Sequence, residues 1–351
     1  MNGLDGALHV VVSAEKGRVA SVRIASPRRN VAAIFVGRTP GEAASLAKNL
    51  FSLCPMAQSL AALSAGEAAL GVVPDASALR RRALDLLCER LGEMLRASLL
   101  DWPGEGAPDP ETIAVLRQTL QNLRDLPGSS EPAATHAKLE NAAKSLGLRD
   151  FARGDGFFGR QWAETVADDK DWKLQPRQAD FLRASDDADV ALAMKERGFA
   201  LEPRLAGRCV ETGACARQGV HAENLSARIA ARYADMASAL DAVAMLVDGG
   251  SPPEGLLVAE NTGAGEGFAA VESARGRLYH AMTLDEAGRI AQYAIVAPTE
   301  WSFHPQGPFV QALHGALVGE GEAARLRIAR LAFAFDPCIR VGVELRDAAH
   351  A

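Results

Sequence analysis

Two long amphipathic segments constrain the fold of this chain more than any other feature. Apolar residues recur every three or four positions over residues 77–99 and again from about 224 to 247, which predicts two long helices. The first stripe consists of Leu79, Ala83, Leu87, Leu91, Met94 and Leu95. The second consists of Ile229, Tyr233, Met236, Leu240 and Val243. Gly249-Gly250 is expected to end the second helix. The centre of the protein is therefore predicted to be a helical bundle.

Alternating patterns near both ends of the chain predict β-hairpins. Apolar and polar residues alternate over residues 7–26, on both sides of a Lys16-Gly17 turn. The same alternation covers residues 277–296, on both sides of a turn at 285–288. A further short strand is expected at 32–36. With the helical centre, these hairpins indicate an α+β fold. No composition change divides the chain, so residues 1–351 are expected to form a single domain.

Shorter helical patterns cover residues 40 to about 63, 110–123 and 133–146. Cys54-Pro55 is expected to interrupt the first of them, because a residue that precedes proline is disfavoured in the helical region. Thiol and proline therefore stand together at a predicted break between two helices.

The composition excludes several classes of function. The 351 residues carry a net charge of −6 and contain no Lys/Arg-rich block, so a nucleic-acid interface is not expected. No apolar run is long enough to span a membrane, and the first residues lack the features of a secretory signal. Five cysteines, an odd number, do not indicate a disulfide framework. These observations predict a cytoplasmic protein with thiols available for packing or for metal.

Other local patterns indicate no catalytic site. Gly263, Gly265 and Gly267 do not follow a strand and open a helix, as a dinucleotide-binding loop requires. Cys88 lies near the apolar stripe of its helix and is expected to pack in the core. No Ser-His-Asp set can be ordered from the sequence. Four histidines show no metal-ligand spacing with one another: His136, His221, His304 and His314.

Two segments, residues 37–65 and 334–344, resemble the metal-binding motifs of nickel–iron hydrogenase large subunits. In that family an Arg-x-Cys-Gly-x-Cys-Pro-x-x-His motif lies near the N-terminus, and an Asp-Pro-Cys-x-x-Cys-x-x-His motif lies near the C-terminus. Four thiolates from these motifs hold nickel, and two of them bridge to iron. Further matching elements are DGALH at 5–9, GRCVETGACAR at 207–217, and ESARGRLYH and VAPTEW within 272–301. The resemblance implies the fold of that large subunit.

Departures from these motifs bear directly on function. Cys54 and Cys338 each keep one cysteine of a motif, whereas Phe51 and Val341 stand at the other two cysteine positions. Neither replacement can donate to a metal, so a thiolate cage for nickel, and with it hydrogenase activity, is not expected. Other motif positions have also changed, to Asn49, Ser52, Gln58 and Glu344.

Two thiolates are enough to hold one iron ion whose other coordination positions carry strong-field ligands. The resemblance implies that these ligands are cyanide and carbon monoxide. Cys54 and Cys338 are therefore the predicted ligands of a transient Fe(CN)2(CO) unit. Arg275 matches the family arginine that lies over the cyanides, and Thr299 matches the Ser/Thr that donates to the other cyanide. Asp5 stands at the position of the glutamate that relays protons in the family. The alternative is that Asp5 is a surface residue without such a role.

Cys209 and Cys215 flank Glu211 in the element at 207–217. Their spacing is not that of a known closed metal motif. Replacement metal ligands or a redox pair are one interpretation of these two thiols. Core packing and loop placement are the interpretation that we prefer.

This chain keeps both end motifs but has lost half of their thiolates. In this respect it resembles the HupK/HoxV-type hydrogenase maturation proteins. That resemblance implies a scaffold, not an enzyme, which receives the Fe(CN)2(CO) unit from the general maturation proteins and passes it to the large-subunit precursor. Residues 345–351 follow Glu344, so removal of a tail by the hydrogenase endopeptidase is not expected. Two alternatives remain open: a metal-free chaperone of the apo large subunit, and a divergent nickel-binding or thiol-dependent enzyme.

Overall fold

The computed structural model describes residues 7–25, 31–104, 108–175 and 180–347. The helices are α1 (Pro40–Leu50), α2 (Pro55–Leu70), α3 (Ala76–Leu100), α4 (Pro110–Asp125), α5 (Pro132–Ser145), α6 (Gly156–Asp168), α7 (Asp187–Ala193), α8 (Ala214–Gln218), α9 (Leu225–Val247), α10 (Pro298–Ser302), α11 (Pro308–Leu313) and α12 (Gly321–Ala334). Short 3₁₀ helices cover Val31–Phe35, Leu126–Gly128, Phe151–Arg153 and Ala184–Asp186. Within these ranges, no helix is long and apolar enough to cross a membrane.

The strands form two small sheets and one short pair. They are β1 (Leu8–Glu15), β2 (Arg18–Ala25), β3 (Asp180–Phe181), β4 (Val210–Glu211), β5 (Leu257–Gly263), β6 (Glu266–Ser273), β7 (Gly276–Leu284), β8 (Ile290–Val296) and β9 (Val341–Asp347). One sheet has the order β2-β1-β9, a second has the order β5-β6-β7-β8, and β3 pairs with β4. The two predicted hairpins, β1-β2 and β7-β8, are confirmed.

The two long predicted helices are α3 and α9, and their apolar faces meet in the largest core cluster. Each begins at a polar cap that satisfies a free backbone donor, because Asp75 accepts from Ala78 N–H and Asn224 accepts from Ala227 N–H. Gly249 ends α9 with a positive φ of 88°, as predicted. Leu79 is the exception in the predicted stripe of α3, because it lies in the first turn and is 37% exposed.

Helix α2 lies between the helical core and the four-stranded sheet. Alanines on one side of α2 pack in the main core, and alanines on the other side pack against the sheet beside Ala269 and Met282. A helix that is buried on both sides needs small residues to bring both neighbours close, and this accounts for the many alanines of α2. The predicted break at Cys54-Pro55 is confirmed, since it separates α1 from α2.

One local prediction was wrong, and one glycine-rich stretch had no predicted structure. Residues 32–36 were expected to form a strand, but Val31–Phe35 is a 3₁₀ helix whose Phe35 ring stacks on Tyr293 at 4.5 Å. The glycine-rich stretch before the second hairpin contains two strands, β5 and β6, which extend that hairpin to a sheet of four. No helix opens after these glycines, so a dinucleotide-binding loop is absent from this described segment.

Candidate metal-binding site

Four separate elements bring the retained motif residues to one place. Cys54 lies at the N-terminus of α2, Arg275 lies in the tight turn between β6 and β7, and Thr299 lies on α10. Cys338 lies in the short connection between α12 and β9. Strand β9 pairs in parallel with β1, and Leu8 N–H donates to Arg340 O at 2.8 Å. This pairing of the two ends of the described chain fixes the segment that carries Cys338.

The backbone at this site is held in unusual conformations. Among the described residues, three non-glycine residues have a positive φ, namely Lys16, Cys54 and Asp336. Lys16 belongs to the first hairpin turn, whereas Cys54 (φ 52°) and Asp336 (φ 48°) belong to the two retained motifs. Left-handed backbone is costly for residues with a side chain and is concentrated at functional sites. Both motifs therefore carry one residue in a costly backbone conformation.

Arg275 joins the two motifs. Its Nη1 donates to the Cys54 sulfur at 2.9 Å, and its Nε donates to the backbone oxygen of Pro337 at 3.4 Å. Its Nη2 donates to Glu93 on α3 at 3.1 Å, while its Nε lies 3.7 Å from an oxygen of Asp336. The guanidinium is 4% exposed. A buried cation is thus held against one thiol by two carboxylates and a carbonyl.

Thr299 holds the other thiol. Its hydroxyl donates to the Cys338 sulfur at 3.2 Å and accepts from the Cys338 backbone N–H at 3.1 Å. Thr299 is buried, whereas Cys338 is partly exposed. Each retained thiol therefore has its own side-chain donor, and access from solvent lies on the Cys338 side.

Asp336 and Glu93 were not singled out from the sequence, although both support this arrangement. Asp336 accepts from Arg232 of α9 at 2.7 Å, which anchors the second motif to the helical core. Glu89, one turn before Glu93 on α3, accepts from the backbone N–H of Met56 and Ala57 at the start of α2. The spacing of Glu89 and Glu93 places them on one face of a helix, a signal that the sequence offered.

Burial dominates the ionisation of the Cys54 thiol. It raises the pKa of Cys54 to about 12, although the Arg275 guanidinium opposes this effect. Near neutral pH the group is therefore a thiol, and a metal has to displace its proton in order to bind. Burial also raises the pKa of Glu89 to about 7, against the two backbone donors that favour its charged form.

Positions that differ from the large-subunit motifs have structural partners of their own. Phe51 ends α1 and packs with the cluster between α1, α2 and the sheet. Val341 opens β9 opposite Leu8. Glu344 is exposed on β9 and pairs with Arg346 at 2.7 Å. Among the described residues, no group of three or more His, Cys, Asp or Glu side chains could hold a metal ion.

Gln58, at the position of the first-motif histidine, instead contacts a buried histidine. Its Oε1 lies 2.8 Å from His280 Nε2, and the Tyr293 hydroxyl lies 2.7 Å from His280 Nδ1. Burial lowers the pKa of His280 from 6.5 to about 3, so the ring is neutral. A single assignment satisfies both contacts: the Tyr293 hydroxyl donates to Nδ1, and Nε2–H donates to Gln58.

This buried neutral imidazole predicts a specific acid sensitivity. Below pH 6.5 the unfolded chain takes up a proton at His280 while the folded protein does not, so stability falls as pH drops towards 3. At pH 4.5 the loss amounts to roughly 2.5 kcal/mol from this group. We expect His280→Gln to flatten the dependence of the unfolding free energy on pH between 7.5 and 4.5, as measured by urea titration. His314→Gln, which removes an exposed imidazole, is the control, and equal slopes in wild type and His280→Gln would refute the prediction.

The remaining predicted residues do not join the two thiols. Cys215 is buried beside Glu211 and Arg228, and burial raises its pKa to about 12. Cys209 lines a surface groove and donates to Gln306 O at 3.1 Å. All five cysteines are free thiols, so these two form no disulfide. Asp5 lies outside the described residues, so its assignment stays a prediction.

The fold places this chain in the class of nickel–iron hydrogenase large-subunit-like proteins. The nickel–iron–selenium hydrogenase of Desulfovibrio vulgaris Hildenborough in its reduced state matches with a TM-score of 0.64 at 17% identity, over 93% of this chain and 95% of that chain. The enzyme of Desulfomicrobium baculatum matches with a TM-score of 0.63 at 15% identity, over 93% and 95% of the two chains. The α+β large-subunit-like fold predicted from the sequence is thereby confirmed.

Sequence comparison identifies the family to which the chain belongs within this class. The family model described as nickel-dependent hydrogenase matches residues 256–344. The hydrogenase expression/formation protein HupK of Rhizobium leguminosarum bv. viciae is 37% identical over an alignment of 371 positions, which covers 99% of this chain and 98% of that protein. HoxV of Cupriavidus necator, also named a hydrogenase expression/formation protein, is 32% identical over 93% of this chain and 95% of its own length. The chain belongs to this HupK/HoxV family of hydrogenase expression/formation proteins.

Proposed function

We propose that this protein is a non-enzymatic hydrogenase maturation factor that holds an Fe(CN)2(CO) unit between Cys54 and Cys338 and passes it to the large-subunit precursor. The observation that carries the proposal is the pairing of each retained thiol with its own donor, Arg275 on Cys54 and Thr299 on Cys338. These are the two residues that the resemblance assigns to the cyanide ligands.

The donor set suits an anionic iron unit. Two thiolates and two cyanides concentrate negative charge, and the buried Arg275 guanidinium would offset part of it while donating hydrogen bonds. Thr299 adds a neutral donor on the opposite motif. Arg275 is itself held by Glu93 and by the Pro337 oxygen, so its position does not depend on the cargo.

Two thiols also suit a carrier that must release its cargo. Phe51 and Val341 leave the nickel side of a four-thiolate cage without ligands, so the iron unit would be held along one edge. Cys338 is partly exposed, which offers a side from which an acceptor could approach. Loading requires the proton of the buried Cys54 thiol to leave, and its return would favour release. On this proposal the partners are the general maturation proteins and the apo large subunit.

Infrared spectroscopy of protein purified anaerobically from a host with the maturation machinery tests the proposal. We expect cyanide and carbonyl stretching bands with bound iron in the wild type, and neither bands nor iron in Cys54→Ala or Cys338→Ala. Cys88→Ala and the Cys209→Ala/Cys215→Ala double variant are the controls, because these thiols have other surroundings: Cys88 packs in the core, Cys209 donates to Gln306 O, and Cys215 lies beside Arg228. Both variants should keep the bands.

Each other result points to a different function. A wild-type protein without bands or iron would favour a metal-free chaperone of the apo large subunit. Tightly bound nickel or hydrogen-dependent dye reduction would favour an enzyme. Loss of iron in the Cys209→Ala/Cys215→Ala variant would show that those thiols are ligands and that the proposed pair is wrong or incomplete.

A further inference from the structure

A groove of about 860 Å³ opens on the surface beside α10. Residues 203–210 form one side, and residues 301–314 form most of the other. Trp301 and Val210 contribute apolar surface, while Arg204 and His304 contribute polar atoms. The volume lies in the range of sites that bind small molecules or short segments. Nothing in the proposed handling of iron uses this groove.

His304 in this groove faces two donors. The backbone N–H of Gln306 points at its Nδ1 at 3.0 Å, and the Nε–H of Arg204 points at its Nε2 at 3.2 Å. Burial and the Arg204 charge hold the pKa of His304 below its usual range, so the ring is neutral. A neutral imidazole has one acceptor nitrogen and one N–H. Both contacts therefore cannot be hydrogen bonds at once.

The backbone contact is the one that the structure fixes. Gln306 follows His304 in a tight turn, in which Gly307 N–H donates to His304 O at 2.7 Å. Arg204, by contrast, is exposed, and its long side chain has several rotatable bonds. We therefore assign Nδ1 as the acceptor and Nε2 as the protonated nitrogen. His304 is 7% exposed, so its Nε2–H is a buried donor that confronts a second donor and needs an acceptor.

The described residues that line the groove carry positive and no negative charge, which suits an anionic acceptor. Among the described residues that line the groove, none is acidic. Arg208 is neutralised by Asp180 at 2.7 Å and by Asp186 at 2.6 Å. Arg204 has no ion pair with any described carboxylate, so its charge remains available. The groove thus presents one guanidinium that has no ion pair with a described carboxylate beside one unsatisfied N–H, although Glu202, which does not line the groove, also acts electrostatically on His304.

We propose that this groove binds an oxyanion, a carboxylate or phosphate group, which accepts from His304 Nε2–H and from the Arg204 guanidinium together. One oxyanion resolves the conflict between the two donors and neutralises the arginine. The group could belong to a free small molecule or to an acidic segment of a partner protein, and both sources share this chemistry.

Titration at constant ionic strength tests the inference, with histidine ring resonances as the readout and His304→Gln to assign them. The probes are sodium phosphate and an acetylated hexaglutamate peptide. We expect a saturable shift of the His304 signal with at least one probe, weakened about tenfold or more in Arg204→Gln, because a charge-assisted hydrogen bond is lost. Arg80→Gln, which removes an exposed arginine on α3, should bind as the wild type does.

The two probes distinguish the source of the oxyanion. Tighter binding of phosphate indicates a free small molecule, and tighter binding of the peptide indicates an acidic partner segment. No saturable shift with either probe, or unchanged affinity in Arg204→Gln, would overturn the inference. Because neither probe contains iron, the outcome is independent of the proposed scaffold function.

Discussion

Asp235→Asn is expected to lower the free energy of unfolding by ~3–5 kcal/mol, because it leaves two buried guanidiniums without their shared carboxylate. Asp235 of α9 is fully buried. It accepts two hydrogen bonds from Arg217 of α8, at 2.7 and 2.9 Å, and a further one from Arg90 of α3. Burial alone would raise the pKa of Asp235, but the two arginines hold it below its usual range.

The two arginines differ in what else compensates their charge. Burial and the neighbouring Arg217 lower the pKa of Arg90 to about 10, which shows how poorly this site tolerates the second cation. Arg217 keeps Glu272 at 3.0 Å, but Arg90 makes its described ion pair with Asp235. Asparagine keeps the size of the side chain and removes its charge, so the variant isolates the electrostatic contribution.

Urea titration of the unfolding free energy measures this effect. Asp241→Asn is the matched control, because Asp241 pairs with Arg149 at 2.6 Å on the surface, where such a pair contributes less than about 1 kcal/mol. A loss of less than about 1 kcal/mol in Asp235→Asn as well would contradict the prediction. Arg217 also donates to the backbone of Ser273 and Ala274, so the network supports the turn that carries Arg275.

Local signals explain which parts of the fold the sequence predicts. The stripes of α3 and α9 and the alternation in β1-β2 and β7-β8 extend over many residues, and each pattern is set by burial of one face. The break at Cys54-Pro55 follows from a steric rule between neighbours. None of these features depends on a distant partner, so each can be read directly.

The elements that the sequence misassigned depend on distant partners. Val31–Phe35 is a short apolar run, which is ambiguous between strand and helix, and the stacking of Phe35 on Tyr293 is a tertiary contact. The same holds at the candidate site. Resemblance suggested Cys54, Cys338, Arg275 and Thr299, but their joint position depends on four elements from distant parts of the chain. The spacing of Glu89 and Glu93 places Glu93 on one helix face with Glu89, but the contacts of Glu93 and Asp336 with Arg275 are tertiary.

Gly267 shows why strands β5 and β6 are not evident from the sequence. A Cβ built on Gly267 would lie 1.9 Å from the backbone oxygen of Ala65 and 2.6 Å from the backbone nitrogen of Ala69, both in α2. Helix α2 thus approaches strand β6 so closely that only a residue without a side chain fits. The nearby Asn261 of β5 donates to Ala68 O at 3.0 Å and ties the same helix to the sheet. The glycine is required by a tertiary contact, and it weakens the local strand pattern.

Gly267→Ala is therefore expected to destabilise the protein by about 3 kcal/mol, near the upper end for overpacking, because the colliding atoms are backbone and cannot rotate away. Gly41→Ala is the matched control with the opposite sign. Gly41 lies in the first turn of α1, and a Cβ there meets nothing within 4 Å, so alanine should stabilise the helix by up to about 1 kcal/mol. Thermal and urea unfolding of the two variants measure both changes.

Gly267→Ala also tests whether the packing of α2 against the sheet sets the geometry of the proposed site. Cys54 stands at the N-terminus of α2, so a shift of this helix away from β6 should move the thiol from Arg275, which is held separately by the β6-β7 turn and by Glu93. We expect Gly267→Ala to lose the iron unit at temperatures at which it remains folded, while Gly41→Ala retains it. Full iron content in a folded but destabilised Gly267→Ala would show that the position of α2 against the sheet does not set the distance between Cys54 and Arg275.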